Sequence, residues 1–236
     1  MAKKFKMLAR MAAAPASQIN STFFQCRNPE NELVNIDGII NPLCIDNRQT
    51  ASMTDQQGDR PYCAAYSAAQ YAEAVNWKRT GKLVQLDAGQ IYKKAKTMDG
   101  IPDEDGTFIE VALQSAIDLG CFSATGKIMQ LKNDQTKLLP EKIKFLVHKY
   151  DFIQAGFSIT DGWYSCSKRS PVLKHTDNFL GGHAVLIVGY TPQDVIIQNQ
   201  WGIDWGSKGF ALMPWDVFMK EFIYCSFLSD AFHENN

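Results

Sequence analysis

The sequence predicts an α+β fold. Helical patterns dominate up to about residue 150 and strand character takes over from Phe152 onward. Two local runs carry that division. An Ala-rich stretch of good helix propensity, Ala64 to Lys78, directly follows Cys63. An apolar, β-branched stretch, His183 to Tyr190, reads as a buried strand.

At 236 residues, 45% of them hydrophobic, the chain can bury a sizeable core in one or two domains. A net charge of −1 gives no basic excess for binding nucleic acid, and no apolar run is long enough to span a bilayer. Residues 1–20 begin with lysines, as a signal peptide would, but Arg10 interrupts the apolar stretch. That favours a non-signal reading and a cytoplasmic or non-classically exported protein. Residues 21–44 are mixed and polar, with little periodicity.

The segment Gln57-Gly58-Asp59-Arg60-Pro61-Tyr62-Cys63 leads into the first helix. Proline suits a first helical turn and Gly81 a C-terminal stop. Cys63 is thus expected at a helix N-terminus, where unpaired N–H groups and the helix dipole favour a thiolate and lower the thiol pKa. Ala64, Ala65, Ala68, Ala69 and Ala72 suggest a buried helix closely packed by its neighbours. Gly58 permits a turn that folds the Gln57 amide back toward the thiol. The plainer reading of Gln57 is a surface residue in a polar loop.

Two capping boxes follow, Asp87 with Gln90 and Thr107 with Glu110, the second helix ending at Gly120. Pro140-Glu141 opens another helix with Ile143, Leu146 and Val147 on one side. Strands are expected at Phe152 to Ile159, His183 to Tyr190, Val195 to Gln198 and Gly209 to Met213. The turn Thr191-Pro192-Gln193-Asp194 makes a hairpin that returns Asn199 toward His183, where its carbonyl can accept the imidazole N–H. Trp201 and Trp205, set among glycines, can cover that bond against water or simply fill core. The loop from Asp161 to Leu180, with Trp163, Tyr164, Cys166 and Phe179, reads either as a cleft wall or as an irregular surface loop. His148, His175 and His233 read as solvated, and no Cys/His spacing suggests zinc.

A nucleophile, a base, a group to orient the base and an oxyanion donor therefore stand in one chain as Cys63, His183, Asn199 and Gln57. His183 lies 120 residues after Cys63 and Asn199 lies 136 after it. This set resembles the papain-like cysteine peptidases, whose His and Asn follow the Cys by roughly 130–150 residues. Ile45-Asp46-Asn47-Arg48-Gln49, Leu86-Asp87-Ala88-Gly89-Gln90, Glu104-Asp105-Gly106-Thr107, Gly181-Gly182-His183-Ala184-Val185 and Asn199-Gln200-Trp201-Gly202 resemble further family segments, over about residues 45–225. The resemblance is to a bacterial-type member without the usual long prosegment.

The resemblance implies a two-lobed fold with a helical lobe at about 48–128, a β-barrel-like lobe at about 129–225 and the cleft between them. It makes residues 1–44 an N-terminal arm, regulatory or occluding the cleft, ahead of a catalytic domain at 45–236. It implies peptide or protein substrates, no cofactor or metal, and no nucleic-acid or membrane partner. It implies catalysis by Cys63, His183, Asn199 and Gln57, with substrate binding at Gly106, Thr107, Gly182 and Trp201. The departures are Arg60, where the family usually carries a second cysteine; Ala64, where a Trp is common; and Asp105-Gly106 in place of Gly-Gly. A thiol-dependent acyl or amide transferase and a catalytically silent binding protein are the competing readings. Of six cysteines, the five other than Cys63 read most simply as buried free thiols in a reducing compartment, the alternative being one or two disulfides in an exported protein.

Overall fold

The computed structural model describes residues 33–36, 38–52, 56–123 and 126–229. In chain order these form β1 (Leu33–Ile36), β2 (Ile39–Pro42), β3 (Ile45–Asp46), α1 (Cys63–Thr80), α2 (Ala88–Lys96), α3 (Ile109–Asp118), β4 (Ile128–Lys132), α4 (Leu139–Tyr150), β5 (Ile153–Thr160), a 3-10 helix (Asp161–Ser165), β6 (Phe179–Tyr190), β7 (Asp194–Gln198), β8 (Phe210–Pro214), α5 (Trp215–Glu221) and β9 (Phe222–Leu228). The expected α+β division holds. Strands β1 and β2 pair with each other, and the rest form one open antiparallel sheet of order β4-β9-β5-β6-β7-β8, with β3 also on β6.

The unbroken apolar runs follow from this architecture, because the central strands are covered on both faces. On β6, Val185 and Ile187 face a core built with α4, α5 and the 3-10 helix. The alternate residues Leu186 and Val188 face Tyr71, Ala74 and Val75 of α1. A third cluster packs α1 on α2 and α3 through Ala64, Ala65, Ala68, Ala69, Ile91, Ile109 and Ala112, and includes Ala184 from the sheet. Small side chains let α1 approach both the other helices and the sheet, so its first thirteen residues, Cys63 through Val75, are all buried. Gly81 ends α1 in the left-handed conformation, its N–H bonding to Trp77 O at 2.8 Å.

Several local expectations change. Strand β6 begins at Phe179, four residues before His183, because its pairing with β5 continues past a register shift to Thr160. Asp87 caps α2 by accepting from Gly89 N and Gln90 N. The Thr107–Glu110 capping box does not form. Phe108 is the N-cap of α3, and the Glu110 carboxylate accepts the Tyr224 hydroxyl at 2.7 Å instead. Cys44 is disulfide-bonded, which corrects the expectation of five structural free thiols; Cys63, Cys121, Cys166 and Cys225 are free.

The described end of the N-terminal arm packs on α4. Asn41 Nδ2 donates to Glu141 O at 3.0 Å, and the Tyr190 hydroxyl donates to Pro42 O at 3.0 Å. The expectation that the arm occludes the cleft falls on residues 1–32, which lie outside the described set. No described helix is long and apolar enough to cross a membrane.

Strand β3 reaches the sheet only because Gly189 has no side chain. A Cβ there would lie 2.3 Å from Ile45 O. Gly189→Ala is expected to push β3 off β6 and lower the unfolding free energy by about 1–3 kcal/mol, measured by urea denaturation.

Candidate active site

The functional side chains come from α1, β6, the segment before α1 and the segment leaving β7. Helix α1 begins at Cys63, behind Tyr62 at the N-cap. Strand β6 carries His183, and the chain leaving β7 carries Asn199, Gln200 and Trp201. The segment before α1 is tied to that exit, since Gln57 N donates to Gln200 O at 3.0 Å. Ala184, next to His183, packs in one cluster with Cys63. The N-terminus of α1 thus packs against the sheet at the residue next to His183.

His183 and Asn199 are fully buried, and Nε2 of the ring lies 2.9 Å from Asn199 Oδ1. The backbone N–H of Gln200 also donates to that oxygen, at 2.9 Å. Two donors on Oδ1 fix which way the amide points, so the imidazole carries its proton on Nε2. Nδ1 is then an unprotonated acceptor, buried and without a hydrogen-bond partner among the described residues.

Gln57 is buried, not the surface residue of the plainer reading. One amide N–H goes to Arg60 O, which leaves the other to point at the Cys63 sulfur. The side chains of Gln57 and Gln200 and the backbone N–H of Cys63 face the sulfur. Gln200 was not anticipated from sequence. Its position beside Asn199, in a segment leaving the sheet with both residues buried, was the available signal.

Burial dominates the electrostatics. It pushes the Cys63 thiol up to about 12, against the pull of Gln57, the Cys63 N–H and Gln200. The lowered thiol pKa expected at a helix N-terminus is thus reversed, because removing the sulfur from water outweighs the nearby N–H groups. Burial also pulls the His183 imidazole down to about 4, with the Asn199 hydrogen bond acting in the opposite sense. Taken singly, both groups are neutral at pH 7.

Aromatic rings enclose the imidazole. Trp201 lies 5.1 Å from the His183 ring at 34°, and Trp163 meets it edge-on at 5.7 Å. Tyr164 stacks on Trp201 at 5.3 Å, which makes the 161–180 loop a wall of this site rather than an irregular excursion. Trp163 is wholly buried and donates its Nε1–H to Glu221 Oε2 at 2.7 Å. His175, expected to be solvated, lies 2.8 Å from the other oxygen of that buried carboxylate. His148 is exposed as expected, and His233 lies outside the described residues.

The substrate-binding candidates are more dispersed. Gly182 is half-buried on β6 beside His183. Gly106 has φ +83° and lies in the loop before α3, where Thr107 is fully buried. Among the described residues no group of three or more His, Cys, Asp or Glu could hold a metal ion.

Comparison with known proteins bears on the family and the fold. The family model described as papain family cysteine protease matches residues 123–221, a span that holds His183 and Asn199. The chain is 25% identical to mexicain of Jacaratia mexicana over 190 residues, covering 72% of this chain and 86% of that protein. It is 39% identical to cathepsin B-like CP2 of Giardia intestinalis over 80 residues, 31% of this chain and 22% of that one. Among solved structures, xylellain, a cysteine protease from Xylella fastidiosa, superposes with a TM-score of 0.65 at 15% identity. That likeness covers 93% of this chain and 98% of the other, and shows the same fold.

The buried imidazole gives a stability test. Unfolded, it takes up a proton near 6.5; folded, only near 4. Its contribution is full above the unfolded value and is lost as pH falls toward the folded one. Between pH 7 and pH 4, the protein is expected to lose about 3 kcal/mol more stability than its His183→Gln variant, read by denaturant unfolding at each pH.

Proposed function

The chain belongs to the papain-like cysteine peptidases, and from that premise we propose that it hydrolyses peptide bonds with Cys63 as nucleophile, His183 as acid and base, Asn199 as orienting group and Gln57 in the oxyanion hole. The observation that supports this assignment is the buried His183–Asn199 bond, which leaves Nδ1 without a hydrogen-bond partner among the described residues, while Ala184, the next residue, packs in one cluster with Cys63.

The cycle starts from a neutral thiol and a neutral imidazole. The Cys63 proton passes to His183 Nδ1 as the substrate carbonyl arrives, so two buried charges appear together and stabilise each other. The thiolate attacks the carbonyl carbon. The resulting oxyanion accepts from the Cys63 N–H and from the Gln57 N–H not engaged by Arg60. As the intermediate collapses, the C–N bond breaks and Nδ1–H protonates the leaving amine. Water, deprotonated by Nδ1, then hydrolyses the thioester and restores the thiol. Trp201 keeps water from the Nε2–Oδ1 bond throughout. Gly182, half-buried beside His183, is the substrate contact this reading keeps, whereas Gly106 and Thr107 are buried. The Cys44 disulfide supports an oxidising compartment over a reducing one.

With purified protein and a fluorogenic peptide library, Cys63→Ala is expected to abolish amide hydrolysis. Asn199→Ala should lower kcat by about tenfold to a hundredfold, because the ring loses its orientation but not its chemistry. The kcat/KM profile should be bell-shaped, with two limits that belong to the Cys–His pair. Full turnover by Cys63→Ala would refute the assignment.

A further inference from the structure

One hydrogen bond fixes a point on the His183 ring but lets the ring rock about it. Its plane is set by the indoles around it, and Trp163 is the hub of that enclosure. The Trp163 ring lies 5.7 Å from the imidazole at 89°, 6.1 Å from Trp201 and 6.2 Å from Trp205. Because Trp163 is wholly buried, its indole N–H needs an acceptor inside the protein. Glu221 Oε2 supplies one at 2.7 Å. The Trp163 carbonyl accepts in turn from the Trp205 indole N–H at 3.0 Å. Both polar ends of the residue are therefore held, and with them the direction in which its ring meets the imidazole.

Glu221 is an expensive residue to bury. It ends α5 with 1% of its surface exposed, where a carboxylate is strongly destabilising unless it is hydrogen-bonded. Its second oxygen, Oε1, lies 3.1 Å from Thr160 Oγ1 and 2.8 Å from His175 Nδ1. A carboxylate only accepts, so the Thr160 hydroxyl donates and the His175 ring carries a proton on Nδ1. Thr160 Oγ1 accepts from Thr176 N at 3.2 Å, which orients the hydroxyl toward Glu221.

These partners bracket the 161–180 loop. Thr160 ends β5, Trp163 lies in the 3-10 helix that follows, and His175 and Thr176 stand on the returning half of the loop. Asp161 N closes the loop on Asn178 O at 3.1 Å. One carboxylate thus ties the two ends of the wall, and the indole that meets His183, to the junction of α5 and β9. A surface loop needs no such anchor. A loop that must hold a buried indole at a fixed angle to a reacting ring does.

We propose that Glu221 is a positioning residue for the base: acting through the Trp163 N–H, it holds the aromatic wall that keeps the His183 ring turned for proton transfer. This role rests on the assignment of His183 as acid and base.

The test uses the full chain, a fluorogenic dipeptidyl coumarylamide and nitrogen NMR of labelled histidine, with rates read well below the Tm of each variant. Glu221→Gln keeps the shape, removes the charge and turns one oxygen into a donor that faces a donor. It is expected to lower kcat about tenfold while KM changes less than about threefold, and to shift the His183 ring resonances. Trp163→Phe keeps a ring but removes the N–H, and should lower kcat by a similar factor; it carries the test if Glu221→Gln does not fold. Added to Trp163→Phe, Glu221→Gln should cost less than about a further threefold, since the carboxylate then has no indole to hold. A wild-type kcat in either folded variant overturns the proposal. So does a loss confined to KM, a full multiplication of the two losses in the double variant, or a fall in kcat with unmoved His183 resonances. Cys63→Ala assayed alongside separates the two levels: if it is inert while Glu221→Gln behaves as wild type, only the Glu221 proposal fails, and if it turns over, the catalytic assignment fails.

Discussion

The hydrogen bond between His183 Nε2 and Asn199 Oδ1, 2.9 Å long and wholly buried, decides what the rest of the site can do. It selects the tautomer, turns the ring and leaves Nδ1 as the one nitrogen available for proton transfer. The sheet exists in the form needed to make it. Strand β6 delivers the histidine, and β7 returns beside it in antiparallel register, Leu186 opposite Gln198, so that the next residue can reach the ring. Gln200 N then pins the amide from behind. The tryptophans keep water from competing for the bond.

Burial that protects this bond also suppresses charge. A thiol pushed up to about 12 and an imidazole pulled down to about 4 form a neutral pair at rest. On the proposed assignment, ionisation is a joint event, with each charge stabilised by the other and the sulfur also by Gln57, Gln200 and the Cys63 N–H. This differs from a thiolate waiting at a helix N-terminus. It makes reactivity conditional on the imidazole.

The sequence displayed the main line of this arrangement. The run after Cys63, the hairpin holding His183 and Asn199, and the apolar face of α4 were legible because hydrophobic periodicity and turn residues report directly on local structure. What stayed hidden was tertiary. Glu110 caps nothing because Tyr224, 114 positions away, takes its carboxylate. His175 is paired with Glu221 across a loop and a helix. Strand β4, half-exposed at the sheet edge, shows no clean alternation because only one neighbour, β9, constrains it. The thiol was read as acidified because a helix N-terminus is visible in sequence while the degree of burial is not. Lys96 looks like any lysine in the run Lys93-Lys94-Ala95-Lys96, and only the fold shows three carbonyls converging on it.

The dependence of the sulfur on the imidazole is open to direct measurement by following iodoacetamide alkylation of Cys63 against pH, with peptide mapping to separate it from the other free thiols. The wild-type protein should react across the neutral range. The His183→Gln variant should react at least about a hundredfold more slowly at pH 7, its rate climbing only in strong alkali where the buried thiol ionises alone. Identical pH profiles for the two proteins would mean that Cys63 gains nothing from His183, and the paired-ionisation account would be wrong.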